Sequence, residues 1–157
     1  MPRRGYKIRD VQVDEVYKSA VVAKLINLVM VDGKKQTAEM HVYEALSKLK
    51  EKKLEPMVVV EKVIDNIGPR MVVRPRRFGG ASYMVPKEIA PKHRTFLAIK
   101  WLVDAARARG NKENHTFADK LFAELNDAYE NKGAAVEKNQ QAQKLADANK
   151  VFAHFSW

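Results

Sequence analysis

The chain has 157 residues, of which 46% are hydrophobic, so it is long enough to form one domain with a hydrophobic core. It carries 29 Lys and Arg against 19 Asp and Glu, and the resulting charge of +10 favours a polyanionic partner, nucleic acid before others. The absence of cysteine excludes disulfides and thiolate metal sites, and no apolar run approaches the roughly 18 residues of a membrane span. We therefore expect a soluble protein with no membrane partner, in a reducing compartment such as the cytoplasm.

Residues 1–12 form a predicted basic N-terminal arm. They include Arg3, Arg4 and Lys7 and show neither the helical nor the strand period. Two interpretations stay open for this segment alone: an arm that folds on an RNA or DNA surface, or a frayed terminus that happens to be charged.

A first helix is predicted from Asp14 to Val31, where apolar residues recur on one wide face. Asp14 or Ser19 is a candidate cap for its start, and Gly33 is placed to end it in a left-handed turn. A second helix, from Lys34 to about Lys53, should pack against it as an antiparallel neighbour because the link is short. Its predicted core face is Ala38, Val42, Ala45, Leu46 and Leu49.

The end of the second helix, from Lys48 to Lys53, is interpreted as a solvated helix end without a function. A third helix is predicted to begin at Pro56 and to stop at Gly68. The β-branched run at 57–60 leaves a strand open there, although the wider spacing of apolar residues favours a helix.

Residues 70–88 are predicted to form a projecting two-stranded β-hairpin. Gly79 and Gly80 separate two β-prone runs, and a tight two-residue turn requires positive φ angles. Pro75 and Pro86 each remove a ladder donor, so neither strand belongs in the middle of a sheet. The hairpin has no acid before Glu88, while its cations are Arg70, Arg74, Arg76, Arg77 and Lys87.

This basic hairpin has two interpretations. The planar guanidinium of Arg76 or Arg77 can take two phosphate oxygens or stack on a base, which favours contact with nucleic acid. Phe78 and Tyr83 add one aromatic ring to each strand, on which a base can also stack. In the alternative, the arginines only protect a solvated edge from aggregation. We favour the first.

A fourth helix is predicted over 91–109 and is apolar almost all round, so it should be central. It begins with the cations Lys92 and Arg94, which the positive N-terminal end of the helix dipole disfavours unless an anion is bound. We therefore expect this helix start to extend the basic surface of the hairpin. Arg107 and Arg109, by contrast, have dipole and solvent reasons to lie at the end of this helix.

Thr116 and Asp119 are an approximate capping box for a fifth helix. A sixth helix, over 134–148, has few apolar residues and is interpreted as a surface helix. The aromatic tail at 149–157 should dock, by default on the core of the protein itself.

Catalysis finds little support. The four histidines are scattered without the spacing of metal ligands. Gly33, Lys34 and Lys35 lack the upstream glycine and the hydroxyl residue of a phosphate-binding P-loop. We therefore expect no enzyme, no cofactor, no metal and no small-molecule substrate.

Six segments stand in order along nearly the whole chain: MPRR, LVMVDGKKQTA, RRFGGASYMVP, IKWLVDAARARG, ENKGAAVEK and ANKVFAHFSW. Together they resemble the bacterial and organellar form of small-subunit ribosomal protein seven. Each segment is weak alone, but six in order are very specific. The resemblance implies one ribosomal-protein domain over 1–157, mainly α, with six helices and the hairpin between helices three and four.

The resemblance also implies a function. The family binds the 3′ major domain of small-subunit rRNA, starts assembly of the subunit head, and lies by the exit site for tRNA, near mRNA. Implied partners are neighbouring head proteins and platform protein eleven, in a cytoplasmic or organellar ribosome, and in some bacteria a member represses its own messenger. Carried onto this sequence, the RNA-binding set is Arg3, Arg4, Lys7, Lys34, Lys35, Arg76, Arg77, Gly79, Gly80, Tyr83, Lys92 and Arg94.

Two other classes of protein make different predictions. A helical DNA-binding regulator would prefer duplex DNA and present a recognition helix. A scaffold that uses its aromatic tail to bind protein would show little salt dependence.

Overall fold

The computed structural model describes residues 12–155. The predicted arm, with Arg3, Arg4 and Lys7, lies outside the described residues except for its last position. In chain order the elements are α1 (Ala20–Val29), α2 (Lys35–Glu51), α3 (Pro56–Ile67), β1 (Met71–Phe78), β2 (Ala81–Glu88), α4 (Pro91–Ala108), α5 (Phe117–Tyr129), α6 (Ala134–Ala148) and a 3₁₀ helix, η1 (Lys150–Phe155). The predicted mainly α fold, with a hairpin between the third and fourth helices, is confirmed.

Helix α1 is shorter than predicted at both ends. It begins after Ser19, whose hydroxyl accepts a hydrogen bond from the backbone N–H of Val21 at 3.2 Å, so Ser19 is the cap. It ends at Val29, and Gly33 adopts its left-handed φ of +74° in the loop that follows. The prediction that Gly33 ends the helix is wrong, because the chain leaves the helix before reaching it.

Asp14 anchors the segment before α1 instead of capping the helix. Its carboxylate accepts hydrogen bonds from the Tyr43 hydroxyl of α2 at 2.6 Å and from the Tyr17 backbone N–H at 2.8 Å. Burial, followed by the hydrogen bond to Asp14, raises the pKa of Tyr43 well above its ordinary value, so the phenol stays protonated as a donor. The chain is thereby fixed to the helical core two residues after the predicted arm.

The core is built from the apolar faces that the helical period predicts. The five residues of the α2 face are confirmed as buried, none more than 3% exposed: Ala38, Val42, Ala45, Leu46 and Leu49. Helix α4 contacts α1, α3, α5 and α6, which confirms its central position. Its first turns are less covered than the apolar pattern suggested, since Phe96 is 41% exposed.

The start of α5 is capped as predicted and is also cross-linked to α2. The Thr116 hydroxyl accepts from the Asp119 N–H at 3.1 Å, and the Asp119 carboxylate accepts from the Thr116 N–H at 3.2 Å. Lys48 donates to the same carboxylate at 2.5 Å, so describing its end of α2 as merely solvated is wrong for this residue. The hydrogen bond from Lys48, followed by those from Thr116, lowers the pKa of Asp119 to about 2.

A buried carboxylate joins α4, α5 and α6. Glu124 is 1% exposed, and it accepts from the Arg109 Nε at 2.7 Å and from the backbone N–H of Ala135, in the first turn of α6, at 3.1 Å. Arg109 also pairs with Asp127. Arg109 is therefore a structural cation as well as a helix-end residue, a role that the sequence did not indicate.

Candidate nucleic-acid interface

The hairpin has the turn that its glycine pair predicted. Strands β1 and β2 are antiparallel, and their last pair is Phe78 with Ala81, so the loop has two residues. Gly79 and Gly80 adopt φ angles of +56° and +85°. A Cβ at either position would meet no atom within 4 Å, so glycine is favoured there by backbone conformation and not by lack of space.

The register of the strands places guanidinium groups on both faces of the hairpin. Arg76 lies opposite Tyr83, and Arg77 lies opposite Ser82. Because neighbouring residues of a strand point to opposite faces, the two arginines lie on different sides of the ribbon. Both are exposed, as is Arg74, and no acid occurs between residues 71 and 87. The strands therefore present cations on both faces and no side-chain carboxylate of their own before Glu88 at the base of the hairpin.

The start of α4 lies close to the base of the hairpin, but its two cations differ in their surroundings. Lys92 is exposed. Arg94 donates from Nε to the Gly68 carbonyl at 3.2 Å, and from a terminal nitrogen to the backbone and carboxylate oxygens of Asp65 at 3.2 and 3.3 Å. The expectation that this basic helix start needs an external anion therefore does not hold for Arg94, whose charge is met by Asp65 and by the last carbonyls of α3.

Gly68 is a positioning residue that sequence reasoning described only as a helix stop. Its φ is −68°, which any residue adopts, so flexibility is not the reason for a glycine. A Cβ there would lie 2.7 Å from the Ile64 carbonyl oxygen and 2.9 Å from the Arg94 Nε. The missing side chain lets Arg94 reach across the end of α3.

The second predicted basic group lies at the other end of α4. Lys34 and Lys35 are exposed at the start of α2, and Lys34 borders a shallow apolar hollow together with Arg107. Arg107 also donates to the carbonyls of Leu28 and Val29, at 3.2 Å each, and so joins the end of α1 to α4. The structure thus holds Lys34 beside the C-terminal end of α4.

The predicted RNA-binding residues that are described therefore form two groups. The hairpin-side group consists of Arg76, Arg77, Gly79, Gly80, Tyr83, Lys92 and Arg94, and the loop-side group consists of Lys34 and Lys35. From Lys92 to Arg107 the helix advances by 15 residues, about 22 Å. Helix α4 thus separates Lys92 and Arg94 at its start from Lys34, which lies beside Arg107 near its end.

The aromatic residues of the hairpin are covered in part by the C-terminal tail. Phe155 lies with its ring centroid 5.1 Å from that of Phe78 and 5.6 Å from that of Tyr83. Phe152 lies 5.3 Å from Tyr83. The described part of the tail therefore packs on the hairpin and not on the helical core, because these rings supply apolar surface that the helices do not cover.

Other kinds of site are not found in the part of the chain that the structure describes. Over residues 12–155 no three histidine or acidic side chains are grouped so that they would hold a metal ion. Within the same range no helix is both long and apolar enough to cross a membrane.

Comparison with known proteins gives a consistent result. The model of the family described as "Ribosomal protein S7p/S5e" matches residues 1–150. The chain is 52% identical over 160 residues to "Small ribosomal subunit protein uS7" of Hydrogenobaculum sp., with all of both chains covered. It is 48% identical over 159 residues to the protein of that name from Sulfurihydrogenibium sp., again with full coverage. With the Pelagibacter ubique protein of that name it shares 52% identity over 145 residues, 92% of this chain and 91% of the relative.

The fold and the charge distribution describe a helical protein with a basic ribbon, and the comparisons give its class as ribosomal protein. This is a structural and non-enzymatic class. The chain belongs to the S7p/S5e family.

Proposed function

We propose that the protein is a structural constituent of the small ribosomal subunit that binds the 3′ major domain of its rRNA and starts assembly of the subunit head. The full-length relatives are named as small-subunit proteins, which supports the assignment to that subunit. The observation that carries RNA binding is the projecting hairpin, with exposed arginines on both faces and no acid between 71 and 87.

The proposed mechanism is electrostatic bridging of separate RNA segments. Each cation that neutralises a phosphate releases condensed counterions, so the affinity should fall with salt by roughly 0.7 to 0.9 of a log unit per contact for each log unit of salt. Folded rRNA offers mainly shape and backbone for recognition. With Lys92 held about 22 Å along α4 from Arg107, which borders Lys34, one rigid protein would contact two RNA segments and fix their relative position.

The proposal extends to the ribosomal surroundings of the protein. The hairpin and the last helix would lie near the exit-site tRNA and the mRNA, and other head proteins and platform protein eleven would be neighbours. The family resemblance and the reach of the hairpin support these assignments, since each strand has 8 residues and so extends about 26 Å. Repression of its own messenger would use the same RNA-binding surface.

The test is binding of the purified protein to a transcript of the 3′ major domain, titrated at several salt concentrations against duplex DNA and unrelated folded RNA. The variant Arg76→Ala/Arg77→Ala should bind the transcript more weakly, with a salt slope shallower by roughly 1.4 to 1.8, while its helix content stays the same. The matched control is Lys50→Ala/Lys53→Ala, which removes the same charge from the end of α2. This control should lower the affinity for the transcript much less than Arg76→Ala/Arg77→Ala.

Two results would contradict the proposal in different ways. If Arg76→Ala/Arg77→Ala binds as the unmodified chain does at moderate salt, the hairpin has no role in binding. If the protein binds all three nucleic acids equally, its net charge alone is responsible, and no rRNA site exists on this surface.

A further inference from the structure

The distal half of the hairpin has little support from the helical domain. Near its base Val85 and Pro86 are buried, and α6 packs against β1. From Arg74 to Ser82 every residue is exposed. A two-stranded hairpin without further packing is marginally stable in water. The segment that carries Arg76 and Arg77 therefore needs another contact if the guanidinium groups are to keep fixed positions.

The C-terminal 3₁₀ helix supplies this contact through two rings on one face. A 3₁₀ helix has three residues per turn, so Phe152 and Phe155 lie one above the other. Both rings pack against Tyr83, and Phe155 also reaches Phe78 beside the turn. Together these four residues form an aromatic cluster, which we call the ring cluster.

The 3₁₀ helix is itself tied to α6, so it can transmit the rigidity of the domain. The Asn149 side-chain amide donates to the Leu145 carbonyl at 2.7 Å, at the end of α6. The backbone N–H of Phe152 donates to the Asn149 carbonyl at 2.9 Å. A continuous path of packed and hydrogen-bonded groups thus leads from the core through α6 and η1 to the tip of the hairpin.

We infer that Phe152 and Phe155 are positioning residues for RNA binding: they brace the distal hairpin through Tyr83 and Phe78 and hold Arg76 and Arg77 in place before the RNA arrives. This inference rests on the proposed function of the hairpin. It also reassigns Tyr83 and Phe78, whose rings serve the brace instead of stacking on bases.

The size of the effect follows from the fraction of molecules whose hairpin is ordered. The apparent affinity of a binding site is reduced by the fraction of the protein in the competent state. Each aromatic pair of this geometry stabilises the ordered hairpin enough to change the equilibrium between its ordered and disordered forms by about two- to tenfold. Loss of the Phe155 ring removes two such pairs, so the local equilibrium should shift by about four- to a hundredfold, and the affinity for the transcript should fall by up to that factor.

The experiment compares Phe155→Ala, Tyr83→Ala and the double variant in two measurements. The first is hydrogen exchange of the backbone amides at 74–83 in the free protein, where each variant should exchange roughly tenfold faster than the unmodified chain. The second is affinity for the 3′ major-domain transcript. Because the two variants share the Tyr83–Phe155 pair, the double variant should lose more affinity than either single variant but less than the product of the two losses. Val151→Ala is the matched control, since Val151 is in the same 3₁₀ helix, is 76% exposed and has no ring to contribute.

Each alternative predicts a different pattern. If Tyr83→Ala weakens binding and Phe155→Ala does not, Tyr83 stacks on a base and the inference is overturned. Stronger binding by Phe155→Ala would mean that the tail obstructs the RNA site, which also overturns it. If Phe155→Ala binds the transcript more weakly but its amides at 74–83 exchange as in the unmodified chain, Phe155 contacts RNA itself, and the inference is again overturned. The exchange measurement is made without RNA, so it tests the brace even if Arg76→Ala/Arg77→Ala shows that the hairpin does not bind.

Discussion

Glu124 is the residue whose removal should most strongly destabilise the helical domain. In Glu124→Ala the Arg109 guanidinium loses a charge-assisted hydrogen bond, which costs about 1.5–3 kcal/mol. The Ala135 N–H at the start of α6 loses its acceptor in a buried position, which costs about 1–3 kcal/mol more. Arg109 keeps its partner Asp127, so its charge is not left alone. We expect the free energy of unfolding to fall by about 3–5 kcal/mol, which lies within the range of these two costs taken together.

For a domain of this size, each kcal/mol corresponds to about 2–4 °C in Tm, so Glu124→Ala should lower Tm by about 6–20 °C. Urea unfolding followed by circular dichroism gives the free energy, and a thermal scan gives Tm. Glu124→Gln is the discriminating variant, because its amide oxygen can still accept from the Ala135 N–H while the charge opposite Arg109 is lost. Glu124→Gln should lower the free energy of unfolding by about 1.5–3 kcal/mol. If Glu124→Ala changes Tm by less than about 2 °C, the carboxylate does not hold α4, α5 and α6 together, and the reasoning is wrong.

Two further variants test the other structural contacts. Gly68→Ala places a methyl group 2.7 Å from a backbone carbonyl of α3 and 2.9 Å from the Arg94 Nε. We expect this crowding to lower the free energy of unfolding in urea by about 1–3 kcal/mol. An unchanged urea midpoint would show that α3 and Arg94 move aside freely. Asp119→Asn removes the carboxylate that Lys48 holds at a pKa of about 2. Because the folded pKa lies below the unfolded value of about 3.9, the carboxylate stabilises the fold above about pH 4, and this stabilisation is lost as the pH falls towards 2. The free energies of unfolding of Asp119→Asn and the unmodified chain should therefore differ at pH 6 and converge by about pH 2, whereas a difference independent of pH would contradict the assignment.

The helices and the hairpin could be predicted because their signals are local. The buried face of α2 follows from the helical period alone, and the turn of the hairpin follows from the need for positive φ at Gly79 and Gly80. Helix ends were less secure: α1 stops before Gly33 although this glycine has the conformation expected of it. A residue can meet its local requirement in a loop as well as at a helix end.

The contacts that the sequence did not predict are made between residues that lie far apart in the chain. Glu124 has the sequence signature of a surface helix residue, and only the fold brings Arg109 and the start of α6 to it. Gly68 is needed because Arg94, 26 residues away, crosses it. Within the candidate site, residue types identified the cations, but only the packing around α4 shows that they form two groups.

Helix α4 also determines the angle between Lys92 at its start and Arg107, which borders Lys34, near its end. Each residue turns an α-helix by about 100°, so the 15 residues from Lys92 to Arg107 amount to four turns and about 60°. The two ends therefore face broadly the same side of the domain. Inserting one residue into α4 would rotate one end by about 100° and move it only about 1.5 Å. The number of residues in α4 consequently sets the relative orientation of Lys92 and the loop that carries Lys34, so under the proposed function insertions there should be tolerated far less than in the loops.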